Sequence, residues 1–150
     1  MVLQDGISAV RSEDYTRVVE VWEASVRATH HFVSESDIEV FRPLVRESLP
    51  NVPDLVCVRD TDNDVKGFIG VAGTEIDMLF VHPDWRGKGV GRRLIRYAID
   101  EHGARTVDVN EQNEQAVGFY LKMGFKVEGR SDEDGNGKPY PLLHMRLAES

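Results

Sequence analysis

The sequence predicts a mixed α/β fold, with helices packed on the faces of a sheet. Three observations carry this. Short apolar runs of strand length recur along the chain, and stretches whose apolar residues return every three or four positions lie between them. The two kinds follow one another as strand, two helices, three strands, helix, strand, helix and two strands. No repeat, linker or low-complexity block divides the 150 residues, so one domain over 1–150, long enough to bury a core, is expected.

Ile7 to Arg11 forms the first strand. Ser12-Glu13-Asp14 then offers a cap and acids for a first helical turn. Tyr15, Val18, Val19, Trp22 and Val26 give the first helix one apolar face. A second helix start is read at Ser36, with Glu39 three residues on as a capping box. Ile38, Phe41, Val45 and Leu49 continue it, and Pro50 and Pro53 bracket its end. Leu55–Arg59 and Val65–Val71 flank a polar turn and predict a hairpin. Glu75–Val81 is the next strand. A helix from about Arg92 to His102 ends before Gly103, Thr106–Val109 is a short strand, and the helix Glu114–Met123 stops at Gly124. Phe125–Val127 and Leu142–Leu147 are the last strands, joined through the Asp- and Gly-rich exposed segment 132–139.

No run of twenty apolar residues predicts a membrane span, and the N-terminus lacks the basic-then-apolar order of a secretory signal. Cys57 stands alone inside an apolar run and is expected as a buried thiol, which excludes an internal disulfide. A cytoplasmic protein is the default expectation. With 26 acidic against 18 basic residues the formal charge is −8, which disfavours nucleic acid as a partner and suits a cationic substrate. The five histidines show no metal-ligand spacing, so no metal is expected.

Against that acidic background the segment Arg86-Gly87-Lys88-Gly89-Val90-Gly91 stands out. It follows an apolar strand and opens a helix, with Arg92 and Arg93 next in line. Glycines there allow close backbone approach, and free N–H groups at a helix start favour a phosphate or pyrophosphate. The absence of a G-K-[ST] ending disfavours a nucleotide-triphosphate loop, and the late position in the chain disfavours a dinucleotide-binding unit.

The glycine segment, joined to the later pattern N-x-x-A-x-x-F-Y-x-x-x-G-F from Asn113 to Phe125, closely resembles the GNAT superfamily of N-acetyltransferases. The stretches THHFVSESDI, VNEQNEQAVGFY and GFKVEGRSDEDGNGKPYPLL are similar to its small bacterial YjaB-like group. The resemblance covers nearly the whole chain. It implies a mostly antiparallel sheet of about seven strands with four helices and a splayed central parallel pair, Glu75–Val81 and Thr106–Asn110. It implies acetyl-CoA as cofactor, with the pantetheine arm in that opening beside Leu79, Phe80 and Val81. The pyrophosphate would lie over Arg86, Gly87, Lys88, Gly89, Val90 and Gly91, with Arg92 adjacent. Asn113 either binds the arm, caps its helix, or does both.

Tyr120 matches the family tyrosine that protonates the coenzyme A thiolate, and an aromatic core role is its alternative. Strand alternation places Glu75, Asp77, Leu79 and Val81 on one side and Ile76, Met78 and Phe80 on the other. Either acid could accept an amine proton, and Asp77 is the favoured base because it lies deeper in the apolar run, with an edge-solvated acid as the other reading. His30 and His31 fall where the fold builds its acceptor wall and could orient substrate, His31 also relaying a proton. Asn110, Glu75 and Tyr140 complete the candidate acceptor side, and Trp85 is read as packing that anchors the loop. The implied reaction is acetyl transfer to a primary amine, a protein lysine or a small molecule, by direct attack in a ternary complex. A non-catalytic CoA-binding or sensor module, and a transferase using another acyl-CoA, are the alternatives. Monomer and homodimer are both left open.

Overall fold

The computed structural model describes residues 2–4, 6–29, 33–134 and 137–148. Its strands are β1 (Val2–Gln4), β2 (Ile7–Ala9), β3 (Asp54–Arg59), β4 (Val65–Ala72), β5 (Glu75–Val81), β6 (Thr106–Asn110), β7 (Phe125–Ser131) and β8 (Leu142–Leu147). The helices are α1 (Tyr15–Thr29), α2 (Glu35–Ser48), α3 (Val90–His102) and α4 (Glu114–Lys122). All strands join one sheet in the order β1-β2-β3-β4-β5-β6-β8-β7. The seven expected strands and four helices are present, and three-residue β1 extends the edge.

Each face of the sheet buries its own apolar cluster. On one, α3 and α4 bring Leu94, Ile95 and Tyr120 against Ile69, Val71, Ile76, Val107, Val109 and Met145. On the other, α1 and α2 bring Val18, Trp22 and Ile38 against Cys57, Val65 and Phe68, with Met78 and Phe80 at its border. Cys57 is fully buried, and that burial pushes its thiol pKa up, as a structural thiol requires. The start of α1 is tied to the sheet by Arg59, whose guanidinium donates to Asp14 Oδ2 (2.7 Å) and Ser8 Oγ (2.9 Å).

Besides one-residue shifts at β3, β4, β6 and α4, four boundaries differ from the sequence reading. The first strand ends at Ala9, and Ser12–Asp14 forms a short 3-10 turn that leads into α1. Helix α2 starts at Glu35, because extended Ser34 caps it and accepts from the Asp37 N–H at 3.1 Å. Ser36 is then already helical, so the Ser36–Glu39 box does not form. Helix α3 starts at Val90, with Gly89 at φ +81° as its N-cap. Strand β7 runs on to Ser131, since an edge strand with an exposed face needs no apolar residues to stay paired.

The consequential difference lies in β5. Val71 pairs with Ile76 and Gly70 with Met78, so Asp77 is an extra residue, a β-bulge. The bulge resets the alternation expected from spacing. Ile76 therefore joins Leu79 and Val81 toward the α3 and α4 cluster, while Met78 and Phe80 face the α1 and α2 cluster.

Candidate active site

β5 and β6 form the only parallel pairing in the described sheet, and it spans just Glu75↔Thr106 and Ile76↔Val107. Beyond it β5 stays paired to β4 up to Val81, and β6 to β8 up to Asn110, so the two strands diverge. The edges they turn toward each other therefore carry main-chain groups with no strand partner. A cleft of about 500 Å³ opens between them. Its walls include Ile76 to Val81 from β5, Val107 to Asn110 from β6, and Ser25 and Thr29 from α1.

At the wide end lies the glycine segment. Gly87 (φ +73°) and Gly89 (φ +81°) hold the left-handed conformation that disfavours any side chain, and their absent Cβ positions face open space. The first N–H groups of α3 come next, unmatched within the helix. Arg86 and Arg92 line this end. Arg86 Nη1 donates to Gln115 Oε1 at 2.8 Å and so ties the loop to α4; burial draws its pKa down. Lys88 turns its ammonium onto the Trp85 ring, 5.1 Å from the centroid.

Tyr120 reaches the cleft from α4. Its ring packs edge-on against Phe119 and Phe125 and is 5% exposed. Burial raises the phenol pKa, which keeps it protonated and able to donate. Its hydroxyl has no protein hydrogen bond among the described residues, although it lines the cleft. Asn113, buried at the start of α4, accepts from the Ala116 N–H at 3.2 Å.

The narrow end is acidic. Asp77 and Asp108 both line it, with Glu75 beside them at the exposed start of β5. Burial and the nearby charges of Asp108 and Asp77 raise the Glu75 pKa, against a smaller opposing effect of His144.

Residues 53–127 match the family described as acetyltransferase (GNAT) domain. The peptidyl-lysine N-acetyltransferase YjaB of Escherichia coli is 49% identical over 135 residues, covering 90% of this chain and 91% of that protein. The chain belongs to the GNAT family. It is an N-acetyltransferase that uses an acyl-CoA. The solution structure of apo YjaB from Escherichia coli superposes with a TM-score of 0.88 at 44% identity, covering 96% of this chain and 97% of that one. The PaiA N-acetyltransferase of Thermoplasma acidophilum, solved in complex with coenzyme A, has the same fold. Its TM-score is 0.72 at 24% identity, with 95% and 98% of the two chains covered.

The GNAT site of this chain fits an acyl-CoA on two counts. The diverging strand edges offer main-chain donors and acceptors to an amide-bearing arm. The left-handed glycines leave space for phosphates to approach backbone N–H groups.

Of the residues singled out from sequence, the structure brings Asp77, Leu79, Phe80, Val81, Arg86, Gly87, Gly89, Val90, Gly91, Arg92, Asn110, Asn113 and Tyr120 to one cleft. Asn113 has the cap role, and Asn110 caps a turn by accepting from the Gln112 N–H at 2.9 Å. Trp85, read as packing, also forms cleft wall, as does Phe119. Tyr140 is not on the main cleft. It is buried, donates to Asp37, and lines a second hollow of about 390 Å³ that shares Phe80 and Asn110 with the first. Glu75 sits outside the cleft wall, and His30 and His31 lie outside the described residues. Spacing missed Ser25, Thr29, Gln115 and Asp108. Asp108 alternates with apolar Val107 and Val109, a pattern that marks it as facing away from the core; the others carried no local signal.

Proposed function

We propose that this enzyme transfers an acetyl group from acetyl-CoA to a primary amine, with the lysine side chain of a protein as the leading acceptor. Direct attack in a ternary complex is the route, and Tyr120 is the acid that protonates the departing thiolate. The observation that carries the reading is Tyr120, 5% exposed on the wall of the β5–β6 cleft, with a hydroxyl that no described residue hydrogen-bonds. A protonated phenol on that wall has one proton to give and no competing acceptor among the described residues. Backbone N–H groups of the Leu79–Val81 segment, freed by the strand divergence, supply the donors for charge growing on the carbonyl oxygen. Asp77 and Glu75 attract the acceptor in its ammonium form from the opposite side. The name of the 49% identical relative, a peptidyl-lysine N-acetyltransferase, supports lysine over a small amine.

The test is acceptor-dependent release of free thiol from acetyl-CoA with lysine peptides, polyamines and free amino acids. Longer acyl-CoA donors run in parallel. Lysine peptides should support turnover. Tyr120→Phe should lower kcat by about 10²- to 10⁴-fold while the CoA dissociation constant is unchanged. Full activity in that variant would remove Tyr120 from the mechanism, and preference for a longer donor would replace the acetyl assignment.

A further inference from the structure

Across β6, β8 and β7 three side chains form a hydrogen-bonded row on the face opposite α3 and α4. Asp108 Oδ1 meets His144 Nδ1 at 2.6 Å, and His144 Nε2 meets Ser131 Oγ at 2.6 Å. The register explains the row: Asp108 stands opposite His144 in the β6–β8 ladder. The flanking Val107, Val109 and Met145 point into the core, so the row must face the other way. Asp108 alone of the three lines the cleft, next to the bulge where β5 and β6 part.

We propose that Asp108, held in place by His144 and Ser131, is the carboxylate that takes the proton from the acceptor's ammonium before attack. This rests on the acetyltransferase reading above. Asp108 is the catalytic residue of the row, and His144 and Ser131 are positioning residues. A Ser131 hydroxyl donating to Nε2 selects the tautomer whose Nδ1–H donates to Asp108. One carboxylate oxygen is thereby anchored, and the other makes no hydrogen bond or ion pair among the described residues. Asp77, the other acid of the cleft wall, has no hydrogen bond or ion pair among the described residues to orient it. A base must be aimed as well as present. Asp108 and His144 side chains are 43% and 36% exposed, so a proton placed there has a way out to water.

The step balances. One N–H bond of the ammonium breaks, its electron pair stays on nitrogen, and the proton bonds to the open oxygen of Asp108. That pair forms the C–N bond as the C–S bond breaks, and the sulfur keeps the C–S electrons and takes the Tyr120 proton. The second proton shed by nitrogen as the amide forms replaces the one Tyr120 gave. One proton per turnover is left on Asp108 and passes to solvent. Glu75 and Asp77 on β5, Lys126 and Glu128 on β7, and Arg146 on β8 are the other charged groups around the row. Arg146 is paired to Glu128 at 3.0 Å.

The experiment is the pH profile of kcat at saturating acetyl-CoA and saturating lysine peptide, with CoA affinity measured beside it. Asp108→Asn should lower kcat by about 10²- to 10⁴-fold and abolish the acid limb, with CoA affinity kept. His144→Ala frees the Asp108 carboxylate to rotate, so kcat should fall by about tenfold with CoA affinity kept. His144→Gln, whose amide can donate to the same oxygen, should restore it. An acid limb that survives Asp108→Asn, or that vanishes in Asp77→Asn instead, overturns the proposal alone. Should Asp108→Asn lose CoA binding, the His144 variants decide, and an unchanged kcat in His144→Ala overturns the proposal. A wild type that releases no thiol with any amine overturns the acetyltransferase reading, and this inference falls with it.

Discussion

The two ends of the β5–β6 cleft are built by opposite means. The wide end is made of local chain: a strand, a 3-10 turn, left-handed glycines and the first turn of α3, all within residues 75 to 93. It is cationic, through Arg86 and Arg92. The narrow end is made of distant chain. Asp77 on β5, Asp108 on β6, Ser131 on β7 and His144 on β8 meet there only because the sheet order sets β8 between β6 and β7. It is acidic. On the proposed reading, a phosphate-bearing donor and an ammonium-bearing acceptor are drawn to separate ends, and the acidic end repels the donor's phosphates. A site that binds two substrates of opposite charge gains order from this separation.

Substitutions can break that contrast at either end. The largest effect is expected at Gly67 of β4, where an added Cβ would lie 2.7 Å from Val90 Cγ1 and 3.2 Å from the Phe80 carbonyl oxygen. Gly67→Val should push the start of α3 off the sheet, cost about 3 kcal/mol by chemical denaturation, and weaken CoA binding. The acidic end lies on the other side of the cleft, so the acid limb of residual activity should stay in place.

Next comes the Asp14–Arg59 pair, which belongs to neither end. Hydrogen bonding from Arg59, against a desolvation cost, holds the Asp14 pKa below its usual 3.8. A depressed carboxylate pKa contributes stability above the unfolded value, and that contribution is lost as pH falls through the folded value. Asp14→Asn should cost about 1–3 kcal/mol at neutral pH. The gap to wild type should close below about pH 4 in urea titrations. CoA affinity and the kinetic pH profile should not move.

A smaller effect is expected at Gly89. Gly89→Ala forces a side chain into φ +81° and should weaken CoA binding by about tenfold, for about 1–2 kcal/mol of strain. Arg86→Gln should be the mildest at the wide end, lowering CoA affinity a few-fold at low salt and less at high salt. If either substitution moved the acid limb, the separation of the two ends would be wrong.

Sequence by itself determined the wide end and most of the fold. Strand β5 and strand β8 match their expected bounds, and the glycine segment apart from Lys88, with Asn113 and Tyr120, comes to the cleft wall. Local signals suffice there because a turn, a cap or a helix start is decided by neighbours in the chain. The bulge at Asp77 was not legible: an extra residue in one strand shows only against its partner, and it reversed the side on which Ile76 faces relative to Leu79 and Val81. The Asp108–His144–Ser131 row was not legible either. Its members are 36 and 13 positions apart along the chain. They meet through ladder register, which depends on the tertiary packing of the whole sheet rather than on any one segment.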